Sequence, residues 1–241
     1  MANRSETIDA SGLQELLQRG REDQIIIDCR SELEREVQGY IEGSHWYEEC
    51  KANEASELKG RSTEHILCIR GKGFTKKDAQ ELIQSLGLSA SKYDDFSGDL
   101  RELDGNPVAL TKTRFVHFDA LTTLLNEGDI LLLDVRNRTE LNEVGQIQGS
   151  VCVPLHEIPL AFTQLNDEAF KERYGFKKPK PEDSNNIILT CRSGRRVLVA
   201  DEKMMPLGFE NLRIYSGSFN DWSKNNGDAF KASFDLDYDI L

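Results

Sequence analysis

The residues of this chain best equipped for chemistry are a cysteine and the arginines that follow it. Asn185-Asn186-Ile187-Ile188-Leu189-Thr190 is an apolar run that ends on Cys191, and Arg192-Ser193-Gly194-Arg195-Arg196 follows before a helix-like stretch from Val197. In that order a strand delivers a thiol to the open end of a parallel sheet, beside a helix N-terminus. Free backbone N–H groups and the helix dipole favour an anion there. A free cysteine has a pKa of about 8.5, and lowering it to about 6.5 takes roughly 2.7 kcal/mol of preferential anion stabilisation. A helix terminus supplies about 0.3–1 kcal/mol, and up to about 2 when partly buried. One or two nearby guanidiniums are expected to supply the rest. The pattern predicts a thiolate that meets an anionic substrate. An inert core cysteine is the commoner fate of this residue type, but it gives no reason for Arg-Ser-Gly-Arg-Arg to follow.

The elements that must position this thiol read as α/β. Arg114-Phe115-Val116-His117 is a short strand, followed by an amphipathic helix over Phe118–Asn126. Asp129 to Asp134 is a continuous apolar strand suited to burial on both faces of a parallel sheet. Ser150 to Pro154, Asn186 to Cys191 and Asn211 to Tyr215 are further strands, and Gly208 is placed to end the helix after the cysteine loop. Strands alternating with helices predict a mainly parallel sheet with helices on both faces.

The chain also aligns with itself. Leu13, Leu16, Leu17 and Gly20 match Leu121, Leu124, Leu125 and Gly128 at one constant separation. Asp28, Arg30, Glu34, Ile41, Gly43 and Ser44 match Asp134, Arg136, Glu140, Ile147, Gly149 and Ser150 at another. Ile66, Gly73, Ala79, Leu86 and Gly87 match Ile187, Gly194, Ala200, Leu207 and Gly208, and Ser97-Gly98 matches Ser216-Gly217. This is a duplicated domain whose first copy is shorter between its second and third motifs. Asp104-Gly105-Asn106-Pro107 is the natural break, which predicts domains at residues 1–106 and 107–241. In this register Arg70 stands opposite Cys191, and Cys68 lies inside its strand by period-2 alternation. The first copy has lost the nucleophile. Its role is expected to be structural, with Arg70, Lys72, Lys76 and Lys77 as a noncatalytic anion site in the sharper version.

Composition narrows the function further. A net charge of −12 argues against general nucleic-acid or anionic-membrane binding and isolates the arginine loop as a local positive site. No apolar run reaches the roughly 20 residues a membrane span needs. Met1-Ala2-Asn3-Arg4-Ser5-Glu6 lacks a signal-peptide pattern. Five cysteines without CxxC spacing suit a reducing compartment, which fits a cytoplasmic protein and does not separate it from a mitochondrial one. His45, His65, His117 and His156 have no metal-ligand spacing, so no zinc site is expected, and His156 is the one placed to reach the cleft. Cys152 is expected to face the core, and Asp134 and Arg136 to brace loops. Gly71-Lys72-Gly73 lacks the third glycine of a dinucleotide loop.

Cys191 to Arg196 resembles the six-residue active-site loop of the rhodanese-type sulfurtransferases. Leu131-Leu132-Leu133-Asp134-Val135-Arg136 is similar to the family's strand ending in Asp-Val-Arg, and Gly145-Gln146-Ile147-Gln148-Gly149-Ser150 to its Gly-x-Ile-x-Gly-small motif. Tyr215-Ser216-Gly217-Ser218-Phe219-Asn220-Asp221-Trp222 resembles its closing motif, and Phe170 to Phe176 resembles the single-domain thiosulfate sulfurtransferases of eukaryotes. Gln146 is a departure, standing where many relatives carry His. The resemblance implies two rhodanese-like domains, an inactive N-terminal copy and a catalytic C-terminal one. It implies sulfur transfer from thiosulfate or a persulfide donor, through a Cys191 persulfide, to cyanide, glutathione, thioredoxin or another thiol, with no metal or organic cofactor. Cys191 would be the nucleophile, and Arg192, Ser193, Gly194, Arg195 and Arg196 would bind the substrate, with Arg192 and Arg196 ahead of Arg195 in orienting its sulfonate. The rivals are a noncatalytic persulfide-sensing or protein-binding module and, further off, a cysteine phosphatase or arsenate reductase. A phosphatase loop needs Cys-x5-Arg, and here that last position is Val197.

Overall fold

Apolar strands buried on both faces need helices on both sides, and each half of the chain solves this in the same way. The computed structural model describes residues 5–18, 23–51, 56–103, 110–225, 227 and 229–230. Gly20, the turn at Asp104 to Pro107 and the acidic tail from Asp235 lie outside the described residues. The chain divides into two compact units, Met1–Thr113 and Arg114–Leu241. The division falls after residues 104–107 because Leu110–Thr111 pair antiparallel with Tyr40–Ile41 of the first unit.

The first unit has five parallel strands: β1 (Ser5–Ile8), β2 (Gln24–Cys29), β3 (His45–Trp46), β4 (Ser62–Arg70) and β5 (Ser89–Phe96), in the order β1-β5-β4-β2-β3. Alternation along its strands splits the core. Ile25, Ile27, Cys29 and Cys68 pack with Ala79 and Leu82 on one side, while Ile26, Leu67 and Ile69 pack with Leu13, Leu17 and Phe96 on the other.

The second unit repeats the order. Its strands are β6 (Phe115–Val116), β7 (Leu131–Asp134), β8 (Val151–Cys152), β9 (Ile187–Thr190) and β10 (Arg213–Tyr215), paired as β6-β10-β9-β7-β8 and all parallel. Leu133, Ile187, Leu189 and Cys191 join one core with Phe170, Val197, Ala200 and Met204, and Leu132 and Ile188 face the opposite side. The helix after the cysteine loop runs Arg195–Met204, earlier than Gly208 implied. Pro206 interrupts it, and a 3-10 turn at Met205–Leu207 leads to Gly208, whose φ is +89°.

Each unit also contains a polar brace of its own. Arg30 closes on Asp28 at 2.6 Å and reaches the Gly39 carbonyl at 2.9 Å. Arg136 closes on Asp134 at 2.7 Å and reaches the Gly145 carbonyl at 3.0 Å. Both pairs are buried. Asp134 and Arg136 therefore hold the loop after β7, the role expected of them. Among the described residues no helix is long and apolar enough to cross a membrane.

Candidate active site

Cys191 follows the last residue of β9, one position beyond the ladder, and is 1 % exposed. Two devices hold its backbone. The first N–H groups of the helix Ser218–Lys224 take the carbonyls of the loop: Phe219 N–H donates to Cys191 O at 3.0 Å, and Asn220 N–H to Arg192 O at 2.9 Å. The Ser218 hydroxyl oxygen accepts the Cys191 N–H at 3.2 Å. Ser218 has φ +52°, a left-handed conformation uncommon outside glycine, and is fully buried. Such a residue persists where its surroundings over-determine it.

The loop then curls around the sulfur. Gly194 N–H donates to Cys191 Sγ at 3.2 Å, and Ser218 Oγ lies 3.6 Å from Sγ. Burial pushes the Cys191 thiol up. The Ser218 hydroxyl and the N–H groups of Ser193, Val197 and Gly194 outweigh it and bring the thiol below its ordinary value. Cys29, Cys50 and Cys152 go the opposite way. A hydrogen bond with Cys68 and burial raise Cys29, burial pushes Cys50 up to about 11, and burial raises Cys152. Cys152 is buried as expected, its thiol against the Arg136 carbonyl at 3.5 Å.

This shifts the weight of the electrostatics. The arginines were expected to supply much of the thiolate stabilisation, but backbone dipoles and one hydroxyl lead. Arg192 and Arg195 point outward and are exposed. Arg196 is half-buried and engaged, its Nη2 lying 2.8 Å from Glu140 Oε1 and its Nη1 on Oε2. An exposed guanidinium is screened by water and salt, whereas an N–H at hydrogen-bond distance is not.

Ser218 and Glu140 were not singled out by sequence reasoning. Both had a visible signal, since Ser218 sits in the closing segment and Glu140 matches Glu34 of the first copy. Ser218→Ala is expected to lower the thiolate fraction a few-fold, since the hydroxyl proton is shared between Sγ at 3.6 Å and the Tyr215 carbonyl at 2.9 Å. Iodoacetamide labelling of Cys191 at neutral pH should slow accordingly. An unchanged labelling rate would leave the serine a purely structural role.

The remaining candidates lie elsewhere. His156 turns its ring toward Glu157, 3.8 Å away, and that carboxylate is already bonded by Arg138, Arg173 and Tyr174. No hydrogen bond joins His156 to Cys191 among the described residues. In the first unit Arg70 donates to Asp95 at 2.7 Å and Lys76 pairs with the same buried carboxylate at 3.0 Å. Lys77 pairs with Glu81 on its own helix. Two of the four cations around that loop thus already face an internal anion. Gln146 is buried, its amide donating to the Ser150 carbonyl at 3.4 Å.

Comparison with known proteins points one way. Residues 117–225 match the model of the rhodanese-like domain. A rhodanese domain-containing protein of Drosophila melanogaster is 40% identical over 110 residues, covering 46% of this chain and 96% of that protein. The thiosulfate:glutathione sulfurtransferase of Homo sapiens is 35% identical over 107 residues, covering 44% of this chain and 90% of that protein. Among solved structures, a human single-domain sulfurtransferase superimposes with a TM-score of 0.43 at 33% identity, over 46% of this chain and 96% of that one.

Proposed function

The chain belongs to the rhodanese family, and from that premise we propose that its second unit carries sulfane sulfur on Cys191, taking it from thiosulfate or a persulfide and handing it to a thiophilic acceptor. The observation that carries this reading is the ring around Cys191 Sγ, with the Gly194 N–H at 3.2 Å and the thiol held below its ordinary value.

In the first half-reaction the Cys191 thiolate attacks the outer sulfur of the donor. The donor's S–S bond breaks, and sulfite or a thiolate departs with the electron pair. The resulting persulfide is itself an anion, and the N–H groups of Ser193, Gly194 and Val197 are placed to keep stabilising it. The exposed Arg192 and Arg195 meet the donor's sulfonate, while Arg196 is committed to Glu140. In the second half-reaction an acceptor thiolate or cyanide attacks the outer sulfur and regenerates Cys191. The name of the human relative, thiosulfate:glutathione sulfurtransferase, supports a thiol such as glutathione in that position, with thioredoxin a protein counterpart. The six-residue loop supports sulfur over phosphoryl chemistry, since Val197 occupies the position of a phosphatase arginine.

The first unit, with Arg70 opposite Cys191 and the same strand order, is read as a second rhodanese-like copy without a nucleophile. All five cysteines are free and buried, which supports a reducing compartment such as the cytoplasm.

Intact-protein mass spectrometry after thiosulfate treatment tests the reading. The wild type is expected to gain one sulfur atom that cyanide removes, and Cys191→Ala to gain none. A folded wild type with a reduced thiol that gains no sulfur from thiosulfate or from any persulfide donor would refute it and favour a binding module.

A further inference from the structure

Of the three loop arginines, one is held in place by a carboxylate from another element. Arg196 meets Glu140 through both guanidinium nitrogens, a two-pronged pairing with defined geometry. Glu140 has little freedom to move. The Asn137 N–H donates to its Oε2 at 3.2 Å as part of the capping box that starts the helix Arg138–Val144. The far end of that helix is tied down where Arg136 grips the Gly145 carbonyl at 3.0 Å. Its hydrogen bond with Arg196 holds the Glu140 carboxyl below the usual range, so it is charged at neutral pH. The other charged groups around the loop are Asp134 and Arg136, closed on each other in the buried brace, and the exposed Arg192 and Arg195.

We propose that Glu140 is a positioning residue that sets the charge of the active loop: by holding Arg196 it leaves the thiolate to short-range dipoles and the donor anion to the exposed arginines. The part of this that concerns the donor rests on the sulfur-transfer reading above. The part that concerns the thiol does not. A paired Arg196 presents almost no net charge at a distance, whereas a released one is a full cation whose charge acts on Cys191. Released, it would favour the thiolate, bind an anionic donor more tightly and hold the departing sulfite longer. Uniform tightening of substrate and product lowers KM without raising kcat. Glu140 thus exchanges anion affinity for turnover.

The test is Glu140→Gln in the full chain, since Gln at this helix position keeps the capping geometry. The pH dependence of Cys191 alkylation, read on the Cys191 peptide by mass spectrometry, needs no sulfur transfer. Its midpoint should move to lower pH, with about three- to tenfold more thiolate at any pH below it. With thiosulfate as donor, KM should fall several-fold, sulfite should inhibit at lower concentration, and kcat should not rise. Adding Arg196→Gln should abolish the alkylation shift, because Arg196 is its source. A midpoint that stays or rises in Glu140→Gln overturns the proposal, as does a shift that persists in the double variant. If alkylation behaves as expected but no variant takes sulfur from any donor, the role of Glu140 stands and the sulfur-transfer reading falls.

Discussion

Gly194→Ala is expected to lower the rate of sulfur transfer from thiosulfate about a hundredfold while leaving the protein folded. Two independent constraints meet at this residue. Its φ of +83° is a conformation that costs an L-residue about 1–2 kcal/mol. A Cβ there would also lie 2.0 Å from the Ser216 carbonyl oxygen, a backbone atom that cannot rotate aside. Either the cysteine loop or the Ser216–Ser218 turn must move. Both movements degrade the same constellation, because Gly194 donates to the sulfur and Ser218 Oγ lies 3.6 Å from it. A displacement of about 1 Å at a reacting centre is enough for a loss of about two orders of magnitude. Steady-state rates with thiosulfate and a thiol acceptor, beside a thermal melt, decide the matter. Activity within a few-fold of the wild type would mean that the N–H ring is not what supports the reaction.

Arg136→Met should cost about 3–5 kcal/mol of stability at neutral pH, because it leaves a buried carboxylate without its partner. Arg136 and Asp134 are both 0 % exposed. The guanidinium also lies 4.4 Å from the centre of the Phe219 ring, on the helix that holds Ser218. Burial pushes the Asp134 carboxyl above its ordinary value even though Arg136 pulls it down. Between the unfolded and folded pKa values the native state therefore binds more protons, so this group's contribution is full at low pH and lost as pH rises. Without Arg136 the carboxyl rises further. Protonation then relieves the mutant as pH falls, and the gap between mutant and wild type should narrow from pH 8 to pH 5. Urea unfolding followed by Trp222 fluorescence, in a Trp46→Phe background so that the second unit reports alone, measures this directly. A gap that is constant or widens toward acid would remove the buried charge as its cause.

The legible part of this protein was local. The thiol, its loop and the helix that follows sit within a few residues of one another in sequence, and the constant offset between the two copies puts Arg70 opposite Cys191. Continuous apolar runs such as Leu131-Leu132-Leu133 announce strands buried on both faces, and the structure has β7 and β9 side by side, as such runs require. Helix ends were less secure. Gly208 was a reasonable stop signal, but Pro206 ended the helix first and handed the glycine a 3-10 turn instead. The Asp134–Arg136 pair was legible as a brace because an aspartate and an arginine two residues apart reach each other without help from the rest of the fold, and Asp28–Arg30 repeats it in the first unit.

What sequence alone settled about the site is that Cys191 stands at a strand end before a helix, in a loop too short by one residue for a phosphatase. Strand, loop and helix start are contiguous, so spacing suffices. Only the tertiary structure decided how the thiolate is stabilised. Ser218 reaches it from 27 positions away and Glu140 takes Arg196 from 56 positions away. No local rule pairs such residues. Their meeting depends on the order of β10, β9 and β7 in the sheet, which brings the turns after all three to the same edge. Three arginines within five residues do not show as text which of them meets a partner. Once folded, two face water and one faces a carboxylate, and the difference between a screened charge and a paired one follows from that placement.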